Sequence, residues 1–134
     1  MTTTPATVLS FTKLCVADLE RSAKFYTDVV GLREAWRYKL PGLQEVVLQT
    51  VDKADGMSLG LMLWDPPRPV VVGHEHGRIG VVTSDIEAFF ARARGLGARV
   101  LEDPHAMPDI GIKVGFLADP DGYAVEVVQM VAGG

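Results

Sequence analysis

The chain has 134 residues, 48% of them hydrophobic and 22% charged, with a net charge of −4. That length and apolar content suit one domain with a real core. The mild acidity and the scatter of the 13 lysines and arginines exclude a nucleic-acid surface as the reading, and no apolar stretch approaches the roughly 20 residues a membrane helix needs.

A single cysteine, Cys15, leaves no internal disulfide and no claim on an oxidising compartment. Met1 to Thr7 carries neither a basic start nor an apolar run, so a cytoplasmic protein is the expectation.

Residues 8–16 read as a strand with loose alternation. Asp18 then stands where a carboxylate accepts from the free amides of a first helical turn. Leu19, Ser22, Ala23, Tyr26, Val29 and Val30 follow at helical spacing, and Gly31 fits the position that ends such a helix. Arg33 to Leu40, Leu43 to Val51 and Met57 to Trp64 read as strands, with Pro41-Gly42 and residues 52–56 as turns. Pro66, Pro67 and Pro69 break the pattern and mark a linker. The same order then returns. Gly77 to Thr83 is a strand, and Asp85 caps a helix carrying Ile86, Phe89, Phe90, Ala93 and Leu96 on one face. Ala98 to Asp103, Gly111 to Ala118 and Tyr123 to Met130 are strands, the last two joined by Asp119-Pro120-Asp121-Gly122. His105, between Pro104 and Pro108, is read as part of a loop over the site.

The order βαβββ thus occurs twice, and Val16-Ala17-Asp18-Leu19-Glu20 answers Thr83-Ser84-Asp85-Ile86-Glu87, with the caps 67 residues apart. The expectation is a single α+β domain, 1–134, made of two βαβββ modules forming curved mixed sheets around a cleft: module one 8–64, linker 65–73, module two 74–130. Each four-stranded sheet carries one helix, so its other face needs a cover, which the second sheet is expected to supply.

Two stretches carry a resemblance. One is Val16-Ala17-Asp18-Leu19-Glu20-Arg21-Ser22 with Phe25-Tyr26 and Val30-Gly31-Leu32. The other is Asp119-Pro120-Asp121-Gly122-Tyr123 with Val125-Glu126-Val127. With the repeat, they resemble the vicinal-oxygen-chelate family of glyoxalases, bleomycin-resistance proteins and extradiol dioxygenases. The resemblance implies the duplicated fold and a homodimer, in some members with halves exchanged between chains. In metal-dependent members it also implies four ligands on the first, fourth, fifth and eighth strands. Aligned by these motifs, those positions are Phe11, Leu61, Arg78 and Glu126. Phenyl and isobutyl groups offer no lone pair and a guanidinium no acceptor, so no metal cofactor is expected. If a divalent metal binds, His74, His76 and Glu126 are the candidate ligands, joined by Glu45, Glu75 or His105. The arginine that holds glutathione in such enzymes falls on Cys15.

With the metal positions lost, period-two counting sets Phe11 and Lys13 of the first strand in the cleft, and Leu59, Leu61 and Leu63 of the fourth. From the second half it adds His76, Arg78, Ala124, Glu126 and Val128. An apolar cleft with a few convergent polar groups suits a small organic ligand. Arg78 and Glu126 are expected to stand together, as a buried ion pair or as an anion stabiliser and a proton-moving base, with His76 as a second acid-base group. Trp36, Tyr38 and Trp64 offer stacking surfaces or simple packing. Glu45 and Gln49 share a face that points either to the cleft or to water. Cys15 reads as an inert thiol.

Two functions from different classes follow. One is a metal-independent isomerase, epimerase or lyase acting on a small carbonyl compound, with Glu126, Arg78 and His76 as its catalytic residues. The other is a non-catalytic protein that sequesters a planar or cationic compound, as drug-binding members do. A metal-dependent lyase or dioxygenase ranks below both.

Overall fold

A computed structural model describes residue 4 and residues 6–52, 56–73 and 76–131. In the first module, β1 (Phe11–Cys15) leads to α1 (Leu19–Lys24), which widens into a π-helical turn over Phe25–Val30 and stops at Gly31. Gly31 has φ 90°, a left-handed conformation that a side chain would disfavour. Asp18 caps as expected: its Oδ1 accepts from the Arg21 amide at 3.0 Å. The periodicity predicts a regular helix to Val30. The wider turn instead keeps Phe25, Tyr26 and Val29 all buried against the sheet. Strands β2 (Leu32–Leu40), β3 (Leu43–Thr50) and β4 (Ser58–Trp64) complete the sheet, in the order β1-β4-β3-β2 with β1 and β4 parallel.

The second module repeats this with β5 (Arg78–Val82), α2 (Ile86–Gly95), β6 (Arg99–Met107), β7 (Ile112–Ala118) and β8 (Ala124–Met130), in the order β5-β8-β7-β6. The Asp85 cap matches that of Asp18, accepting from the Ala88 amide at 3.0 Å. The fold is therefore the expected pair of four-stranded mixed sheets built from βαβββ modules.

β6 departs from expectation. It runs four residues past Asp103, through Pro104, and His105 pairs with Val114 of β7. Proline is tolerated because β6 is an edge strand whose outer amides need no partner, and the register slips on both sides of Glu102 absorb the misfit. His105 is thus a strand residue, with Nε2 2.8 Å from Glu102 Oε1, and not part of a lid.

The helix-bearing faces of the two sheets do not remain separate. Leu14, Tyr26 and Leu61 of the first module join Ile86, Phe90 and Leu117 of the second in one buried cluster. Gly115 permits the contact with α2, since a Cβ there would lie 2.6 Å from the Phe90 ring. The Asp119-Pro120-Asp121-Gly122 turn fastens the modules together. Asp121 accepts from the Ala17 amide, Arg21 Nη2 and Ser22 Oγ at 3.1–3.2 Å. Asp119 accepts from the buried Tyr26 hydroxyl at 2.7 Å and from the amides of Asp121 and Tyr123 at 2.9 Å. The Tyr123 hydroxyl reaches back to the Cys15 carbonyl at 2.8 Å. The two motifs that carry the family resemblance are therefore the two sides of one latch.

Candidate functional site

Because the helix-bearing faces share a core, the opposite face of the first sheet stays open. It holds a cleft of about 350 Å³, lined, among the described residues, by residues of the first module. β1 contributes Phe11 and Lys13, β2 Trp36 and Tyr38, β3 Glu45, Val47 and Gln49, and β4 Ser58 and Gly60. The expectation that the second sheet of the same chain covers this face is not met.

Strand β4 presents the face opposite to the one counted from the sequence. Leu61 is fully buried and Leu59 nearly so, both in the core, and Leu63 packs against that core. The register sets Lys13 beside Gly60 and Leu14 beside Leu61, so the open-face position on the fourth strand is Gly60. The Met57 to Trp64 run is apolar on both faces, which hid its phase. Trp64 does not line the cleft; its ring carries the Arg68 guanidinium 3.9 Å away.

At the centre of the cleft lies Glu45, 2% exposed. Its Oε1 is 2.9 Å from Lys13 Nζ, whose side chain is 33% exposed. The contact is an ion pair. Gly60 makes this possible: a Cβ there would meet both Glu45 Oε2 and Lys13 Cγ at 3.0 Å. Lys13 Nζ also reaches the Tyr38 hydroxyl at 3.5 Å and lies 5.4 Å from the Phe11 ring centre. The Glu45 carboxylate holds the Lys13 ammonium above its ordinary 10.5, against the cost of partial burial. Bonding to the same carboxylate raises the Tyr38 phenol. Phe11 and Trp36, 59% and 53% exposed, form the rim. Beside the pair, Gln49 accepts from Arg33 Nη2 at 2.7 Å and donates to Ser58 Oγ at 2.9 Å.

The hairpin contained the signal for Glu45. With Pro41-Gly42 as a two-residue turn, Leu40 faces Leu43 and Tyr38 faces Glu45. The face that carries Trp36 and Tyr38 must then carry Glu45 and Val47.

The second sheet holds the other predicted pair. Arg78 Nη1 donates to Glu126 Oε1 at 2.8 Å, and the guanidinium lies 4.7 Å from the Phe116 ring centre. With Arg78 60% and Glu126 28% exposed, the pair is partly open rather than buried. His76 is not on β5: it is an exposed bend residue whose ring meets Tyr123 edge-on at 4.6 Å. His74 and Glu75 lie outside the described residues.

The chain is thus a duplicated βαβββ unit with a charge pair on each sheet. It belongs to the Glyoxalase/Bleomycin resistance protein/Dioxygenase superfamily, whose family model matches residues 8–127. A lactoylglutathione lyase of Neisseria meningitidis serogroup A is 31% identical over 129 residues, covering 93% of this chain and 92% of that one. A probable lactoylglutathione lyase of Vibrio cholerae is 27% identical, covering 88% and 87%. The fold is shared with the Leishmania major glyoxalase I, with a TM-score of 0.79 at 23% identity over 92% of this chain and 87% of that one. It is shared too with TnmS3, an antibiotic-binding protein from Streptomyces sp. CB03234, with a TM-score of 0.76 at 23% identity over 96% and 99%.

The residues present do not fit the four-ligand set of metal-dependent members. With β4 in its observed phase, the positions are Phe11, Gly60, Arg78 and Glu126, and only the last offers an acceptor. Among the described residues, no group of three or more His, Cys, Asp or Glu is placed to share an ion. No described helix is long and apolar enough to cross a membrane.

Proposed function

We propose that the chain binds a small carbonyl compound in the cleft of the first sheet and moves a proton beside its carbonyl without a resident metal, as an isomerase, epimerase or lyase. The observation that carries this reading is Glu45, a carboxylate 2% exposed in the lining of an open cleft and paired with the Lys13 ammonium at 2.9 Å. A carboxylate there can take a proton from a carbon acid and return it to the neighbouring atom. Membership of a superfamily with lyase relatives at 31% identity supports the same class of chemistry. Glutathione adducts are disfavoured as substrates, because Cys15 stands at the position of the thiol-peptide-binding arginine.

The test is deuterium incorporation from D2O next to the carbonyl of a panel of small aldehydes and ketones, followed by NMR with chelator present. The parent is expected to exchange at least one compound. Glu45→Gln should slow that exchange by about 100-fold or more while binding stays nearly constant. Parent protein that exchanges nothing, yet binds planar compounds and loses them on Trp36→Ala, would instead establish sequestration. That reading draws on the exposed Phe11 and Trp36 rim.

The reading includes a homodimer that covers the open faces, which carry Phe11, Trp36, Val82 (69% exposed) and Met130 (65% exposed). Such pairing would set the Arg78–Glu126 pair of one copy against the Lys13–Glu45 pair of the other, leaving Arg78 and Glu126 as contributors from the second copy. His76 meets Tyr123 edge-on and is given no role in this reading. Light scattering should give twice 14.5 kDa, and a monomer mass would remove Arg78 and Glu126 from the site.

A further inference from the structure

We infer that Lys13 is the fixed cation of this site and that its ligand presents an anionic oxygen beside a planar apolar group, the chemistry of an aromatic 2-oxo acid. The inference rests on the cleft being the binding site and specifies what binds there.

The four-strand metal set needs an acceptor on the fourth strand. This chain has Gly60 there, and the space above it is filled from both sides. Glu45 enters from β3 and Lys13 from β1, each so close that one added carbon at Gly60 would crowd them both at 3.0 Å. Where a divalent ion would need converging oxygens, the chain thus supplies an ammonium and a single carboxylate. The arrangement also has a direction. Glu45 is 2% exposed and the Lys13 side chain 33%, so the ammonium is the more accessible of the two charges to a ligand entering the cleft. A planar cation would meet the more exposed ammonium, a like charge.

An ammonium has three donors. Glu45 at 2.9 Å and Tyr38 at 3.5 Å account for the close oxygens around Nζ, which leaves capacity for a ligand oxygen. The nitrogen is held as a cation and not as a free amine, because the carboxylate raises its pKa. It therefore acts by charge and hydrogen bonding, and no covalent step is assigned to it.

The rim sets the rest of the ligand. Phe11 on β1 and Trp36 on β2 stand at the two edges of the sheet, three strand spacings or about 14 Å apart, with the charged pair between them. One aromatic ring fits against Trp36 while its acid reaches Lys13.

The test uses phenylpyruvate and its neutral methyl ester as probes, titrated in buffer with chelator. Tryptophan fluorescence is read in a Trp64→Phe background, so that Trp36 alone reports. Phenylpyruvate should bind the background protein and bind Lys13→Gln at least about tenfold more weakly, the weight of one charge-assisted hydrogen bond. Lys13→Arg should stay within about threefold, and the ester should bind weakly and equally to all three. Thermal melts confirm that each variant is folded. Equal binding of acid and ester, unchanged in Lys13→Gln, would overturn the inference while leaving the cleft as the site. Acid binding that chelator abolishes and zinc restores would overturn it by giving the cation role to a metal. If neither probe perturbs Trp36, the cleft reading falls and this inference with it.

Discussion

Asp119→Ala is expected to cost the fold about 3–5 kcal/mol, lowering the melting temperature by about 10 °C or more. The carboxylate accepts from the Tyr26 hydroxyl and from two backbone amides, and it is 5% exposed. Alanine leaves all three donors without an acceptor where water does not easily reach, and a buried unsatisfied donor costs about 1–3 kcal/mol. The loss lies at the joint between modules, so both sheets should unfold in one transition. Asp119→Asn is expected to stay within about 1 kcal/mol, because its oxygen still faces the two amides and its NH2 can donate to Tyr26. Urea unfolding of both variants is the measurement. A melting point for Asp119→Ala within a degree or two of the parent would show that the latch holds no appreciable energy.

The same pair of variants carries a pH prediction. Burial raises the Asp119 carboxyl above its ordinary 3.8, more than its hydrogen bonds lower it. The folded chain then holds this proton more tightly than the unfolded chain. This group's contribution to stability falls as pH rises from 3.8 to the raised folded value and is level above it. Subtracting the Asp119→Asn profile from that of the parent should reveal this slope, and a slope of opposite sign would mean that the hydrogen bonds win over burial. Tyr26, pushed far above its ordinary 10.0 first by burial and then by Asp119, stays protonated and remains the donor throughout.

The latch also shows what a sequence conceals. The stretch from Asp18 to Tyr26 and the stretch from Asp119 to Tyr123 each announce a local role, a capped helix and a turn, because caps and turns are short-range chemistry. Nothing local reveals that Asp121 sits on the start of α1 or that Asp119 receives Tyr26, about 100 residues away. The repeat and the sheet membership were legible for the same reason as the caps: each depends on neighbouring positions and a fixed period.

The candidate site divided along similar lines. Counting by two sets Phe11 and Lys13 on the open face of β1, and Trp36 and Tyr38 share one face of β2, which is the face that lines the cleft. β4 is apolar on both faces, and period-two counting therefore could not fix its phase; Leu61 and Leu63 fell on the wrong side. The sequence leaves Glu45 open between cleft and water, because a carboxylate near a turn ordinarily faces water. Its burial depends on the absence of a side chain at Gly60, a vacancy visible only once β1, β3 and β4 are in register.

That dependence sets the second large effect, which lies in the Lys13–Glu45 pair. Lys13→Met should destabilise the chain by about 2–3 kcal/mol. This is less than the 3–5 kcal/mol typical of a broken buried pair, because one third of the Lys13 side chain is already in water. The methionine fills similar volume, so the loss is that of a buried carboxylate stripped of its counter-charge. Lys13→Met with Glu45→Met removes both charges and is expected to return to within about 1 kcal/mol of the parent, or to exceed it. The coupling between the two sites, read from a double-mutant cycle in urea, isolates the pair. The cycle should give the same answer from neutral pH up to about 10. Glu45 raises the folded-state pKa of Lys13, so the stabilisation is complete below 10.5 and is lost only as pH rises through the raised value. Additive single substitutions would mean that water enters the cleft and solvates Glu45 without help from Lys13. If the cycle behaves as expected, the double variant is stable, folded and unable to hold phenylpyruvate. Stability alone then gives no reason for two charges to sit over a glycine on this sheet, and ligand binding does.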